Sequence, residues 1–345
     1  MVKLALKPVH RSLVAGLVAL GLVLPAMAQP PAPVNANDTL VDDLVVTAVR
    51  PGPAYWRAQR KDSPDSVVWI MGATTALPKG VTWNQAETKR HLKGANQLIL
   101  GPDQQVGNVF SLIWIFLTQR EKFMAEAPLD KTLPPDLYAR YEKASVGNRM
   151  RRGDDASTRN VKPILAALGV AFGFQRGLDM EQREPERTVR RMAIFQVKSK
   201  RAGETVALDF VKLLQTMPRA VELACMDDAL SQIEAGRERQ IEAARGWARG
   251  DLRVAVSAQR GWERCITQDK EIAAINERNI QAAVDAIAGA LDKPGKAVAL
   301  VELRPLLAQN GVIVRLRARG IEITPPDVPG IEEAEEGRPA SSPPQ

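Results

Sequence analysis

The apolar positions of this chain fall into three patterns, and each predicts a different kind of element. Short continuous apolar runs bounded by turn residues predict strands buried on both faces. These runs are residues 67–71 (VVWIM, between Asp65-Ser66 and Gly72), 97–100 (QLIL) and 297–303 (AVALVEL). Residues 43–48 (DLVVTA) and 321–324 are shorter strand candidates, and 206–210 reads as a strand or as the start of a helix.

Apolar residues at three- and four-residue steps predict helices over 83–93, 108–125, 136–145, 161–174, 186–198, 219–245, 252–288 (broken near Cys265) and 306–317. On the helix around Arg278, the residues Ile272, Ile275, Asn279, Ala283 and Ile287 share one face. An Asn therefore sits within an apolar stripe. A buried Asn without partners costs about 1–3 kcal/mol, so Asn279 is expected to hold a specific bond.

The opening order of strand, helix and strand, followed by mostly helical sequence and a late strand, predicts an α/β fold. Its expected form is a mixed central sheet flanked by helices, with a largely helical insertion in the middle of the chain. Residues 55–324 are of a length that one such domain accommodates.

The third pattern lies at the start. Lys3, Lys7 and Arg11 precede an almost unbroken apolar run over 13–24, Pro25 ends it, and Ala26-Met27-Ala28 follows. This is the layout of an export signal cleaved after Ala28, which would leave the protein periplasmic or secreted. A membrane anchor is the alternative, but it needs roughly 20 apolar residues. No later run is long enough to span a membrane, so no transmembrane segment is expected in the mature form. Residues 29–54 read as a Pro-rich leader holding the 43–48 strand, and residues 325–345 as a disordered Pro/Glu/Ser-rich tail.

Charge changes the picture little. The chain carries 47 Lys and Arg against 40 Asp and Glu, net +7; without Lys3, Lys7 and Arg11 the excess is +4. The basic residues concentrate in 149–159 and 183–201 with acids interleaved, which reads as solvated helix and loop surface. Nucleic acid is not an expected partner for an exported chain.

Cysteine and histidine restrict the chemistry more sharply. The two cysteines, Cys225 and Cys265, are 40 positions apart on two helices of one subdomain. In an oxidising compartment they read as a disulfide, with two buried thiols as the alternative. Of the two histidines, His10 lies in the signal region and His91 in a basic helix, where it reads as a surface side chain. One His and two bridged Cys do not make a transition-metal site. The acidic pairs Asp42-Asp43, Asp154-Asp155 and Asp227-Asp228 lack the alternation of a calcium loop. There is no Gly-x-Ser-x-Gly elbow and no P-loop.

Several stretches, in order, resemble the TraB/GumN family. The strand ending in Gly72-Ala73-Thr74-Thr75 and the following Leu77-Pro78 resemble its apolar strand, Gly-x-x-His turn and Leu-Pro loop. Gly94 to Gly101, Lys162-Pro163, Gly177-Leu178-Asp179 and Val206 to Asp209 resemble further family stretches. So do Trp247-Ala248-Arg249-Gly250-Asp251, Arg278-Asn279, and Ala299 to Gly320 with its second turn.

The resemblance implies metal-dependent hydrolysis carried by two His and a Glu. Here Thr75 stands at the first His position, Gly101 at the Glu position and Pro305 at the second His position. Thr is a weak neutral ligand, and Gly and Pro side chains carry no donor. The expectation is therefore a catalytically inactive relative with no cofactor. Its old cleft would persist as a binding or scaffolding surface lined by Thr75, Asp209, Arg278 and Asn279. The partner is not specified by the sequence; an envelope protein or an acidic glycan would fit. The alternative is an active hydrolase, acting on peptide, ester or glycan, that uses other residues.

Overall fold

The computed structural model describes residues 39–41, 52–105, 114–115, 118–146, 160–258, 261, 264–265 and 269–326, with only the backbone at 103–105 and 205–209. The predicted strand at 43–48, residues 108–113 and 116–117 of the predicted helix over 108–125, and both termini lie outside these residues.

The first strands, β1 (Tyr55–Arg60) and β2 (Ser63–Ala73), form a tight hairpin across Lys61-Asp62. Next come β3 (Ala76–Pro78), α1 (Ala86–Leu92), β4 (Ala95–Leu100) and β5 (Asp103–Gln105). The helical insertion begins with α2 (Leu129–Thr132), α3 (Pro135–Ser145) and α4 (Pro163–Gly177). It is interrupted by β6 (Met180–Gln182), α5 (Glu184–Ala193), β7 (Lys198–Arg201) and β8 (Glu204–Val206). It resumes with α6 (Ala207–Thr216), α7 (Arg219–Glu234), α8 (Arg237–Arg249) and α9 (Leu252–Ala255). The chain closes with α10 (Lys270–Leu291), β9 (Gly295–Glu302), α11 (Leu303–Leu307), α12 (Val312–Ala318) and β10 (Glu322–Thr324).

Six strands form the central sheet in the order β10-β1-β2-β9-β4-β7. β1 runs antiparallel to β2 and β10, while β2, β9, β4 and β7 run parallel. The fold is thus α/β with a mixed sheet, as the pattern predicts. β2 and β9 sit at its centre, which explains their unbroken apolar runs. Val68, Ile70, Met71, Val298 and Ala299 are all fully buried, so both faces are covered.

One long helix covers a face. On α10, Ile280, Val284, Ile287 and Leu291 are buried at helical spacing. Asp269 starts that helix by accepting from the backbone N–H of Glu271 and Ile272, at 2.8 and 3.4 Å. Full burial of Ile287 and Leu291 contributes about 1.5–3 kcal/mol each.

The insertion has its own cores. α4 presents Ala166, Ala167, Val170 and Ala171, small residues that let it lie close to Met226, Ala229 and Leu230 of α7. Beside them Ile164, Leu168, Leu213, Leu214 and Ile272 surround Cys225 and Cys265, which are joined in a disulfide with Cα atoms 4.9 Å apart.

The structure corrects several boundaries. The helix predicted to run to residue 198 ends at Ala193, and Lys198–Arg201 is an edge strand paired with β4. KSKR has no apolar alternation, so only its partner reveals it as a strand. Residues 206–210 resolve into both predicted alternatives: β8 ends at Val206 and α6 begins at Ala207. The helix predicted over 219–245 is two, parted at Gly236, whose φ of 87° requires glycine. The predicted 306–317 helix is likewise two pieces.

Candidate functional site

β2 and β9 are parallel neighbours, so their carboxyl ends open side by side. A cleft of about 200 Å³ lies there, the place where α/β sheets present ligand sites. Thr75, just past β2, and Pro305, in α11 past β9, both line it. Two of the three positions to which the resemblance assigns metal chemistry therefore converge.

The floor is fixed by close packing. Trp247, 1% exposed, donates its indole N–H to the Gly72 carbonyl at 2.8 Å, and its ring meets the edge of Trp83. A Cβ on Gly72 would lie 2.6 Å from Leu303 and 2.9 Å from Trp56, so a side chain at this position near the end of β2 would have to displace them. The Trp-x-x-Gly-Asp stretch thus supports the cleft. Gly250 ends α8 at φ 81°, and Asp251 caps α9 by accepting from Val254 N.

The remaining lining is mostly uncharged. Gln175, Gln182, Gln232 and Gln240 contribute amides, and among the described residues Glu302 and Arg304 are the charged ones that line it. Arg304 donates to the carbonyls of Val256 and Ala258, at 2.7 and 3.1 Å.

Gly101, the third position, does not line this cleft. It is tied to Thr75 through a polar relay. The Thr75 carbonyl accepts from the backbone N–H of Arg183 at 2.6 Å. The Arg183 guanidinium donates to Glu186 Oε2 at 2.6 Å, and Arg201 donates to Glu186 Oε1 at 2.7 Å. Arg201 also reaches the Gly101 carbonyl at 3.3 Å. Burial resists ionisation of Glu186, but hydrogen bonds from Arg201 and Arg183 outweigh it and hold the carboxyl below its usual range. Arg183 itself is a non-glycine residue with φ 53°, a left-handed conformation that the surrounding bonds must sustain.

These residues do not fit a divalent metal. A catalytic ion needs about three protein donors, and Thr75, Gly101 and Pro305 offer one hydroxyl between them. Among the described residues no group of three His, Cys, Asp or Glu is arranged to hold an ion. Both cysteines are consumed in the disulfide.

His91 departs from the sequence expectation of a surface side chain, being only 4% exposed. It stacks on Trp69 at 4.1 Å, meets Tyr55 at 4.6 Å, and approaches Glu87 at 3.6 Å. It turns inward because α1 lays that face against the sheet, a placement its basic neighbours conceal.

Of the other sequence candidates, Arg278 and Asn279 are not among the residues that line the cleft. Arg278 is exposed on α10, and Asn279 is half-buried with its Oδ1 against Gly203, where a Cβ would lie 2.5 Å away. Asp209 falls in the first turn of α6, and its side chain is outside the described atoms. Arg183, Glu186 and Arg201 escaped the sequence reading, which took 183–201 for solvated charge. The unusual backbone at Arg183 has no signal in the sequence.

Neither a curated protein nor a solved structure matches the chain. The TraB/PrgY/gumN family model matches residues 54–325, most of the chain and all of the sheet just described. This protein belongs to the TraB/PrgY/gumN family.

Proposed function

We propose that this protein is an exported, catalytically inactive member of its family, whose cleft at the ends of β2 and β9 is a binding or scaffolding surface in the cell envelope. The Arg183–Glu186–Arg201 relay carries this reading. The carboxylate of that relay, Glu186, is engaged by both Arg183 and Arg201, and two guanidinium groups beside it disfavour a cation there.

What the cleft does offer is hydrogen bonding without charge. Four glutamine amides on helices and a strand, with the Thr75 hydroxyl at the bend after β2, suit peptide groups or sugar hydroxyls. The buried disulfide supports an oxidising compartment, in line with the export signal read at residues 1–28.

An active hydrolase is the competing reading, and Glu302 on the cleft is the observation in its favour. A single carboxylate can act as general acid or base, but among the described lining residues there is no second acid. The test is metal analysis of the purified chain, with hydrolysis of peptide, ester and glycan substrates measured with and without chelator. The proposal expects no stoichiometric metal and no chelator-sensitive turnover. Stoichiometric Zn, Mn or Co with turnover abolished by chelator ends it, and turnover lost in Glu302→Gln ends it by another route.

A further inference from the structure

A second concavity, of about 350 Å³, lies at the opposite end of the sheet from the cleft. It is formed where β4 and β9 begin, beside β7 and the last turn of α10. Among the described residues its charged lining is Lys198, Lys200, Lys293 and Lys296, with no acid. The neutral polar lining is Asn96, Gln97 and Ser199.

β7 is one of the sheet's two edge strands, and Lys198 and Lys200 project from one of its faces with Cα atoms about 6.6 Å apart. Both are exposed, as is Lys293. Lys296 is half-buried and donates to the Arg90 carbonyl at 3.3 Å. The nearest acid in sequence, Asp292, pairs with Arg60 at 3.0 Å and does not line the groove.

Edge-strand lysines commonly block pairing with a second sheet. That role covers Lys198 and Lys200, but not Lys293 and Lys296, which the turn before β9 brings into the same groove from about a hundred positions away. Four like charges on one concave wall repel one another and concentrate counter-anions. Among the described residues no guanidinium lines the groove, so planar two-point recognition of carboxylate is not built in. Ammonium point charges suit phosphate oxygens. The concave shape fits a short chain of anions better than the plane of a membrane.

We propose that this groove binds a linear phosphate oligoanion. The inference is independent of whether the distal cleft is catalytic. The test titrates the purified chain with tripolyphosphate at about 0.15 M salt, where exposed charges are screened beyond about 8 Å. It compares Lys198→Gln/Lys200→Gln with Lys131→Gln/Lys143→Gln, which removes equal charge from exposed positions of the helical insertion.

The expected result is saturable 1:1 binding, weakened about tenfold or more in the groove variant and unchanged in the control. Equal weakening in both variants, or no saturable binding, overturns the proposal. So does equally tight binding of a uronic-acid oligomer, or binding to anionic vesicles that tripolyphosphate does not displace. All four lysines substituted are exposed, so melting temperatures within experimental error of the parent confirm that binding alone is read.

Discussion

Arg201 and Glu186 meet at 2.7 Å, and the same guanidinium spans to the carbonyl of Gly101. A charged pair thus closes over a position where the family resemblance places a carboxylate. Arg201→Gln leaves Glu186 half-buried with Arg183 alone, and is expected to cost about 1–3 kcal/mol. Chemical denaturation at neutral pH measures it. The folded carboxyl of Glu186 titrates below its unfolded value, so this contribution is present above the unfolded pKa and is lost as pH falls through the folded one. The Arg201→Gln difference should therefore shrink in acid. A penalty that is constant down to the lowest accessible pH would contradict the relay.

Glu222 should behave in the opposite sense. Burial raises its carboxyl pKa, and Lys162 and Arg219, each 3.6 Å away, offset only part of that effect. The folded state thus holds the proton more tightly than the unfolded state. Stability from this site is greatest at low pH and declines as pH rises through the folded pKa. Glu222→Gln should flatten the decline and melt at or above the parent temperature at pH 7. A variant clearly less stable than the parent at pH 7 would show that the ionised form is the one the fold requires.

The disulfide closes a separation of 40 residues within the helical insertion. Removing it by Cys225→Ser/Cys265→Ser is expected to cost about 4 kcal/mol on the chain-entropy account. Alkylation of the denatured chain should add no label until reductant is present. Labelling without reductant, or a stability loss under 1 kcal/mol, would count against a structural bridge.

His91 gives a direct test of burial. A surface histidine replaced by alanine would change stability by less than about 0.5 kcal/mol. Stacked on Trp69 and beside Tyr55, His91→Ala should instead cost about 2–4 kcal/mol through the cavity left behind. The tryptophan emission should shift to the red as water enters. An unchanged spectrum and stability would return His91 to the surface.

Trp247→Phe removes one hydrogen bond of the cleft floor together with part of the indole's packing. It leaves the Gly72 carbonyl without its indole donor and a smaller ring against Trp83. The expected loss is about 1–3 kcal/mol, read from the denaturation midpoint.

The central sheet was legible because its signal is local. The runs ending at Met71 and Glu302 are continuous and apolar, and only strands covered on both faces need such runs. The family motifs were legible for the same reason, as were the missing His and Glu: they are matters of which residue stands where along the chain. That Thr75 and Pro305 share a cleft followed only once β2 and β9 lay parallel and side by side. The Arg183–Glu186–Arg201 relay, the inward turn of His91 and the gathering of Lys198 with Lys293 were decided by tertiary structure alone. Charged and polar side chains carry no periodicity that names a partner, and what each one meets is set by which distant segment the sheet order brings beside it.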